Sequence, residues 1–261
     1  MSDCQQQTQT ASDEDENETP WIEADFQKVE EDEGSPDISD LFADPDPYET
    51  FEFHFDPDIG ITLTGFKEEN GQTLNSTGLT IWRASHLLCD YLVANPEFVK
   101  GKKVLELGAG LGLCGILSYH LQANKITLTD GDTDTLANMR INVNRNCKAA
   151  NTKDTTKTIS CKQFVWGCDI SGLLERNGGT FETILGADII YVEEVVEPLF
   201  RSVSQLLSHD GQFVLAYARR NVKIDIVFEQ AKNHGFVWTT PEEVEGVFVF
   251  TREELETDDT R

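Results

Sequence analysis

From Tyr48 onward apolar and polar residues alternate: Phe51, Phe53 and Phe55 fall on one face, and Ile59, Ile61 and Leu63 resume the alternation after Asp56-Pro57-Asp58. A period of two on either side of a turn-prone triplet predicts a β-hairpin. The period then lengthens. Between Leu79 and Asn95 the apolar residues Ile81, Ala84, Leu88, Tyr91 and Leu92 recur at helical spacing, and Pro96 closes the run, which predicts one helix. Beyond it short apolar runs and longer amphipathic stretches take turns. Strands are predicted at 103–107, 125–129, 158–165, 182–187, 212–217, 236–239 and 246–250, and helices near 112–121, 133–146, 193–208 and 222–234. This rhythm predicts an α/β fold, a doubly wound, mostly parallel seven-stranded sheet preceded by a hairpin and a helix. The last two strands are joined by a short link with no helix, so they should form a hairpin and bring one antiparallel strand into the sheet. The polar stretch 148–157 reads as a surface insertion.

Charge divides the chain into parts. The 261 residues hold 47 Asp+Glu and 21 Lys+Arg, a formal net charge of −26. Residues 1–58 alone hold 20 acidic residues against the single Lys28, or −19, which leaves 27 against 20, or −7, for the remainder. Residues 1–47 are too poor in apolar side chains to offset the entropy of ordering. They are expected to be a disordered acidic arm, either a solvating tail or an attractor of basic partners, ahead of a domain at 48–251 and an acidic tail at 252–261. A basic nucleic-acid footprint is absent, and no apolar run approaches the length of a membrane span. The N-terminus lacks the basic and apolar regions of a secretory signal, so a soluble cytoplasmic protein is expected, with the nucleus left open, and a monomer is expected as well. Six scattered cysteines without a C-x-x-C pair suggest reduced thiols and no metal site, and five dispersed histidines suggest no catalytic role.

The most pointed local feature is V-L-E-L-G-A-G-L-G-L, Val104 to Leu113, where an apolar strand runs into Gly108, Gly110 and Gly112. Such glycines let the backbone turn tightly and approach a ligand at a helix N-terminus. The spacing is G-x-G-x-G, because Leu113 stands where a dinucleotide fingerprint needs its third glycine. Asp130 ends the next strand, where a carboxylate can accept the two hydroxyls of a ribose. Glu106 suits a cofactor bearing an ammonium and a sulfonium better than one bearing a pyrophosphate.

These motifs together resemble the seven-β-strand, Rossmann-like methyltransferases, and within them the protein-lysine methyltransferase branch with a D-x-x-Y signature, methyltransferase family 16. The resemblance covers about residues 48–251. It rests on T-G-L-T-I-W from Thr77, E-L-G-A-G-L-G from Glu106, L-T-D ending at Asp130, V-W-G from Val165 and D-I-I-Y from Asp188 to Tyr191. It implies S-adenosyl-L-methionine as cofactor, with Gly78, Trp82 and Trp166 lining its pocket. Many relatives carry an acidic residue where Val165 stands. Trp82 and Trp166 also have a reading as core aromatics. The resemblance further implies that Asp188 binds the acceptor nitrogen and Tyr191 shapes its channel, while an N-cap of the helix predicted near Glu193 is the alternative for Asp188. Base-modifying amino methyltransferases resemble a pattern with two prolines where Ile189 and Ile190 stand.

The expected activity is therefore methyl transfer to a lysine of a protein substrate, which the charge balance suggests is basic. A histidine acceptor, a non-catalytic module that holds a basic partner, and a small-molecule methyltransferase remain open. Arg219 and Arg220 are either substrate contacts or solvated strand ends.

Overall fold

The computed structural model describes residues 48–56, 58–66, 77–79, 81–147, 157–218, 222–242 and 244–253. The acidic arm at 1–47, most of the 148–157 insertion, Arg219, Arg220 and most of the C-terminal tail lie outside the described residues.

Strands β1 (Tyr48–Asp56) and β2 (Ile59–Phe66) are followed by α1 (Arg83–Ala94), β3 (Lys103–Leu107), α2 (Leu113–His120), β4 (Lys125–Asp130), α3 (Thr133–Asn146) and β5 (Thr158–Gln163). Then come α4 (Ser171–Asn177), β6 (Phe181–Ala187), α5 (Val196–Leu206), β7 (Leu207–Ala216), α6 (Ile224–Asn233), β8 (Phe236–Thr239) and β9 (Val247–Arg252). The seven-stranded sheet has the order β5-β4-β3-β6-β7-β9-β8. It is parallel except for β9, which pairs antiparallel with both β7 and β8, as the short link between the last two strands requires. The doubly wound sheet and the leading hairpin are thus present.

Alternation along each strand sorts side chains onto two faces. Val104, Leu185, Val214 and Val247 face a core shared with α1, α2, α3 and β2. Leu105, Leu107, Ile184, Phe213 and Phe250 face the other core, under α5 and α6. Both faces are covered, which is why the central strands read as nearly continuous apolar runs.

The hairpin β1-β2 forms its own sheet, with Phe51 opposite Leu63 and Phe53 opposite Ile61. The outer edge of β2 pairs with side chains on α3. Asn142 and Asn146 accept the amides of Thr64 and Thr62, both at 2.9 Å. The same two residues donate to the carbonyls of Thr64 and Thr62, and Asn138 adds a third donor at 2.7 Å. Asparagines spaced four apart lie on one stripe of a helix, and here they stand in for a neighbouring strand. Buried Asn142 also donates to Leu111 at 3.2 Å, which ties the hairpin to the glycine turn.

Three local readings change. Helix α4 has only seven residues, too few for a periodic pattern to announce it. Strand β7 begins at Leu207 because that residue pairs with Phe181, and an irregular register then carries the chain to Gln212 opposite Thr183. Strand β5 stops at Gln163, and the chain turns at Gly167, where φ is +81°. Cys89, Cys114, Cys147 and Cys161 are free thiols.

Candidate active site

Chain succession runs outward in both directions from the β3-β6 pair, and in such sheets the loops at the carboxyl ends of the diverging strands leave a crevice. A cavity of about 680 Å³ lies there. Its walls include Trp82, Gly108, Gly110, Asp130, Trp166, Asp188 and Tyr191, all of them singled out in the sequence. Gly78 is also part of the wall. Glu106 and Gly112 are not.

The glycine turn is held by β4. Ala109 donates to the carbonyl of Thr129 at 2.8 Å, and Gly110 donates to Asp130 Oδ2 at 3.1 Å. Gly108 has φ +59°, and a Cβ there would stand 2.8 Å from Ile189 Cγ2. Gly110 has φ +54°, and a Cβ would stand 3.0 Å from the carbonyl oxygen of Gly78. Neither position accepts a larger residue without moving the wall. Asp130 Oδ1 accepts the amide of Asp132 at 3.1 Å, and Asp132 in turn caps α3 by accepting the amide of Thr135 at 2.7 Å. Burial raises the pKa of Asp130, and the amides of Asp132 and Gly110 oppose that rise. Each carboxylate oxygen has a second lone pair beyond its amide, which leaves Asp130 able to accept ribose hydroxyls.

Glu106 goes elsewhere. Alternation puts it on the same face of β3 as Val104, under α2, where its Oε2 accepts the amide of Gly115 at 2.8 Å. Burial pushes its pKa up to about 8, against the lowering effect of the Gly115 amide and the Cys114 thiol. At neutral pH it is mainly a neutral acid, so it presents no full negative charge to an ammonium or sulfonium. Gly112 has a helical duty instead: at φ +88° it is the N-cap of α2.

On the β6 side of the cavity Asp188 follows that strand directly. It has a left-handed backbone, φ +51°, which is uncommon outside glycine. Its amide donates to the carbonyl of Ala216 and its Oδ1 accepts the amide of Ala218, both at 2.9 Å. The short 3-10 turn Glu193–Val195 has Val192 as its N-cap and no side-chain cap, so Asp188 does not serve as one. Tyr191 lies in the loop before that turn, half exposed at 50%. Trp166 is half buried, and Gly167 beside it donates to Ser202 Oγ on α5 at 2.8 Å.

Several wall residues escaped the sequence reading. Asp132 could have been found as the helix cap in T-D-G-D, and Ser85 follows Trp82 by one helical turn. Glu194, three residues past Tyr191, carries no pattern of its own. Val165 also lines the cavity, 53% exposed, and brings an apolar wall to a position where a polar contact was in question. Among the described residues, no group of three or more His, Cys, Asp or Glu could hold a metal ion. No described helix is long and apolar enough to cross a membrane.

Residues 66–234 match the model of a family described as lysine methyltransferase. The chain is 29% identical over 219 residues to a Yarrowia lipolytica protein named protein N-terminal and lysine N-methyltransferase EFM7, covering 77% of this chain and 74% of that one. It is 35% identical over 136 residues to protein N-lysine methyltransferase METTL21A of Danio rerio, covering 52% of this chain and 58% of that one. It is 34% identical over 140 residues to EEF1A lysine methyltransferase 3 of Mus musculus, covering 54% and 55%. The chain therefore spans a little over half the length of these two vertebrate relatives. Among solved structures, a T. thermophilus 16S rRNA methyltransferase in complex with AdoMet and guanosine superposes with a TM-score of 0.54 at 18% identity, covering 80% of this chain and 52% of that one. At that identity the likeness is one of fold.

Proposed function

Because the chain belongs to the lysine methyltransferase family, we propose that it transfers a methyl group from S-adenosyl-L-methionine to the side-chain nitrogen of a lysine in a protein substrate. The charge of the cavity wall carries the reading for this chain. Asp130, Asp132, Asp188 and Glu194 line the cavity, and none of its described lining residues is a lysine or arginine. A concave wall of one sign concentrates ligands of the other, and a cationic donor and a cationic acceptor both match it.

S-adenosyl-L-methionine, when bound, supplies a methyl group carried on a positive sulfonium. The glycine turn and Asp130 fit its nucleoside half: the turn lets the backbone come close, and Asp130 offers acceptors to a ribose. Trp82, Trp166 and Val165 give apolar walls that suit the flat adenine of that half. At the far end Asp188 holds the incoming ammonium as a charge-assisted partner and orients the amine once its proton has left. That loss must come first, since an ordinary lysine with a pKa of about 10.4 has no free lone pair at neutral pH. Tyr191 borders the way in and narrows it around the acceptor. The acidic excess of residues 1–58 favours encounter with a basic substrate protein.

The test uses methyl-labelled S-adenosyl-L-methionine and cell extract, followed by hydrolysis and amino-acid chromatography. Label should appear in Nε-methylated lysine. Label confined to methyl-histidine, or no label in amino acids, overturns the reading.

A further inference from the structure

We infer that the hydroxyl of Tyr217 is a positioning group for Asp188, an inference that rests on the function proposed above. Tyr217 is the first residue after β7, next in the chain to both residues that hold Asp188: Ala216, whose carbonyl takes the Asp188 amide, and Ala218, whose amide donates to Asp188 Oδ1 at 2.9 Å. The peptide that presents the Ala218 amide is therefore the one that leaves Tyr217. That peptide is fixed from two sides. The backbone amide of Tyr217 donates to the carbonyl of Gly246, ahead of β9, at 2.8 Å. Its side chain, 5% exposed, turns back to Val222, where the hydroxyl donates to the carbonyl at 2.6 Å and accepts the amide at 3.2 Å. One phenol oxygen thus closes the connection from β7 to α6 at both backbone groups of a single residue.

The acceptor carboxylate needs this. Asp188 sits in a left-handed conformation that a non-glycine residue keeps only where its surroundings enforce it. A carboxylate that must direct a nitrogen in line with a transferring methyl group tolerates little displacement, and small misplacements lower turnover without changing the rest of the pocket. Removing the Tyr217 hydroxyl leaves both backbone groups of Val222 without this partner and frees the peptide that aims the Ala218 amide. Neither Tyr217 nor Val222 lines the cavity, so the cofactor end is untouched.

The experiment compares the full-length protein with Tyr217→Phe and Ala218→Pro, using labelled S-adenosyl-L-methionine with extract protein in excess as acceptor and calorimetry for the cofactor alone. Tyr217→Phe should lower kcat about tenfold while the KM and Kd for S-adenosyl-L-methionine change less than twofold, as expected for loss of orientation alone. Ala218→Pro, which deletes the amide donor and keeps the hydroxyl, should show the same split. It keeps the question answerable if Tyr217→Phe does not fold. Wild-type kcat in either folded variant, or parallel losses of kcat and cofactor affinity, overturns the inference and leaves the proposed function standing. A wild-type protein that methylates no lysine overturns both.

Discussion

Replacing Glu106 with glutamine should remove most of the fall in stability that the wild-type protein suffers between mildly acidic and mildly alkaline pH. The side chain is 3% exposed, and burial raises its pKa from 4.5 to about 8. Between those values the folded protein keeps a proton that the unfolded chain has already released, so raising the pH draws the equilibrium towards the unfolded state. Stability tied to this group is complete below the unfolded value and is lost as pH rises through the folded one. The loss runs at about 1.4 kcal/mol per pH unit inside the window, and amounts to about 3 kcal/mol between roughly pH 5.5 and 8.5. Glutamine keeps an oxygen for the Gly115 amide and has nothing to titrate. Urea denaturation of both proteins at about pH 5.5, 7 and 8.5, with equal slopes required, measures the difference directly. The advantage of Glu106→Gln over wild type should grow by about 3 kcal/mol across the series. A constant offset between the two proteins would mean that Glu106 is ionised in the fold, and the account of a neutral acid beneath α2 would be refuted.

Asp130→Ala removes the anchor of the Gly110 amide and the proposed acceptor for the ribose; calorimetry should show S-adenosyl-L-methionine affinity reduced by about 100-fold, from about 3 kcal/mol of lost charge-assisted hydrogen bonding. Asp188→Ala should leave that affinity within about threefold of wild type and lower methyl transfer by at least about 100-fold; equal losses of binding and transfer would show that Asp188 serves the cofactor end. Asn142→Ala strips partners from the Thr64 amide and carbonyl and from the Leu111 carbonyl, and should cost about 2–4 kcal/mol in a denaturant titration. A change below about 1 kcal/mol would mean that the asparagine stripe of α3 adds little to holding the hairpin.

Much of the fold was legible because it follows from periodicity. Strands β3 and β8 begin and end where the apolar runs do, and α3 fills its predicted span. The antiparallel β9 followed from the absence of a helix in a short link. The ladder between β2 and α3 was not found, although Asn138, Asn142 and Asn146 are evenly spaced, because polar residues on a helix read as a solvated face until something is known to lie opposite. In the cavity, Asp130 and Asp188 could be placed because one ends an apolar strand and the other directly follows one, and strand ends are where such sheets open. Glu194 could not, since its place depends on how the loop after Ile190 turns over the crevice.

Glu106 marks the boundary between the two kinds of information. Sequence alone determined that a carboxylate stands two residues before the glycine turn, that the strand carrying it is apolar, and that the turn leads into a helix. Those are facts of order and spacing, and local backbone geometry follows from them. Whether that carboxylate faces a ligand or a core depends on which face of β3 the helix α2 covers, and covering is a relation between segments far apart once the strand is packed. The tertiary structure put α2 over Glu106 and left Asp130 and Asp188 at open strand ends. Among residues of the same chemistry, burial made one a neutral structural acid and left the others able to meet a positive ligand.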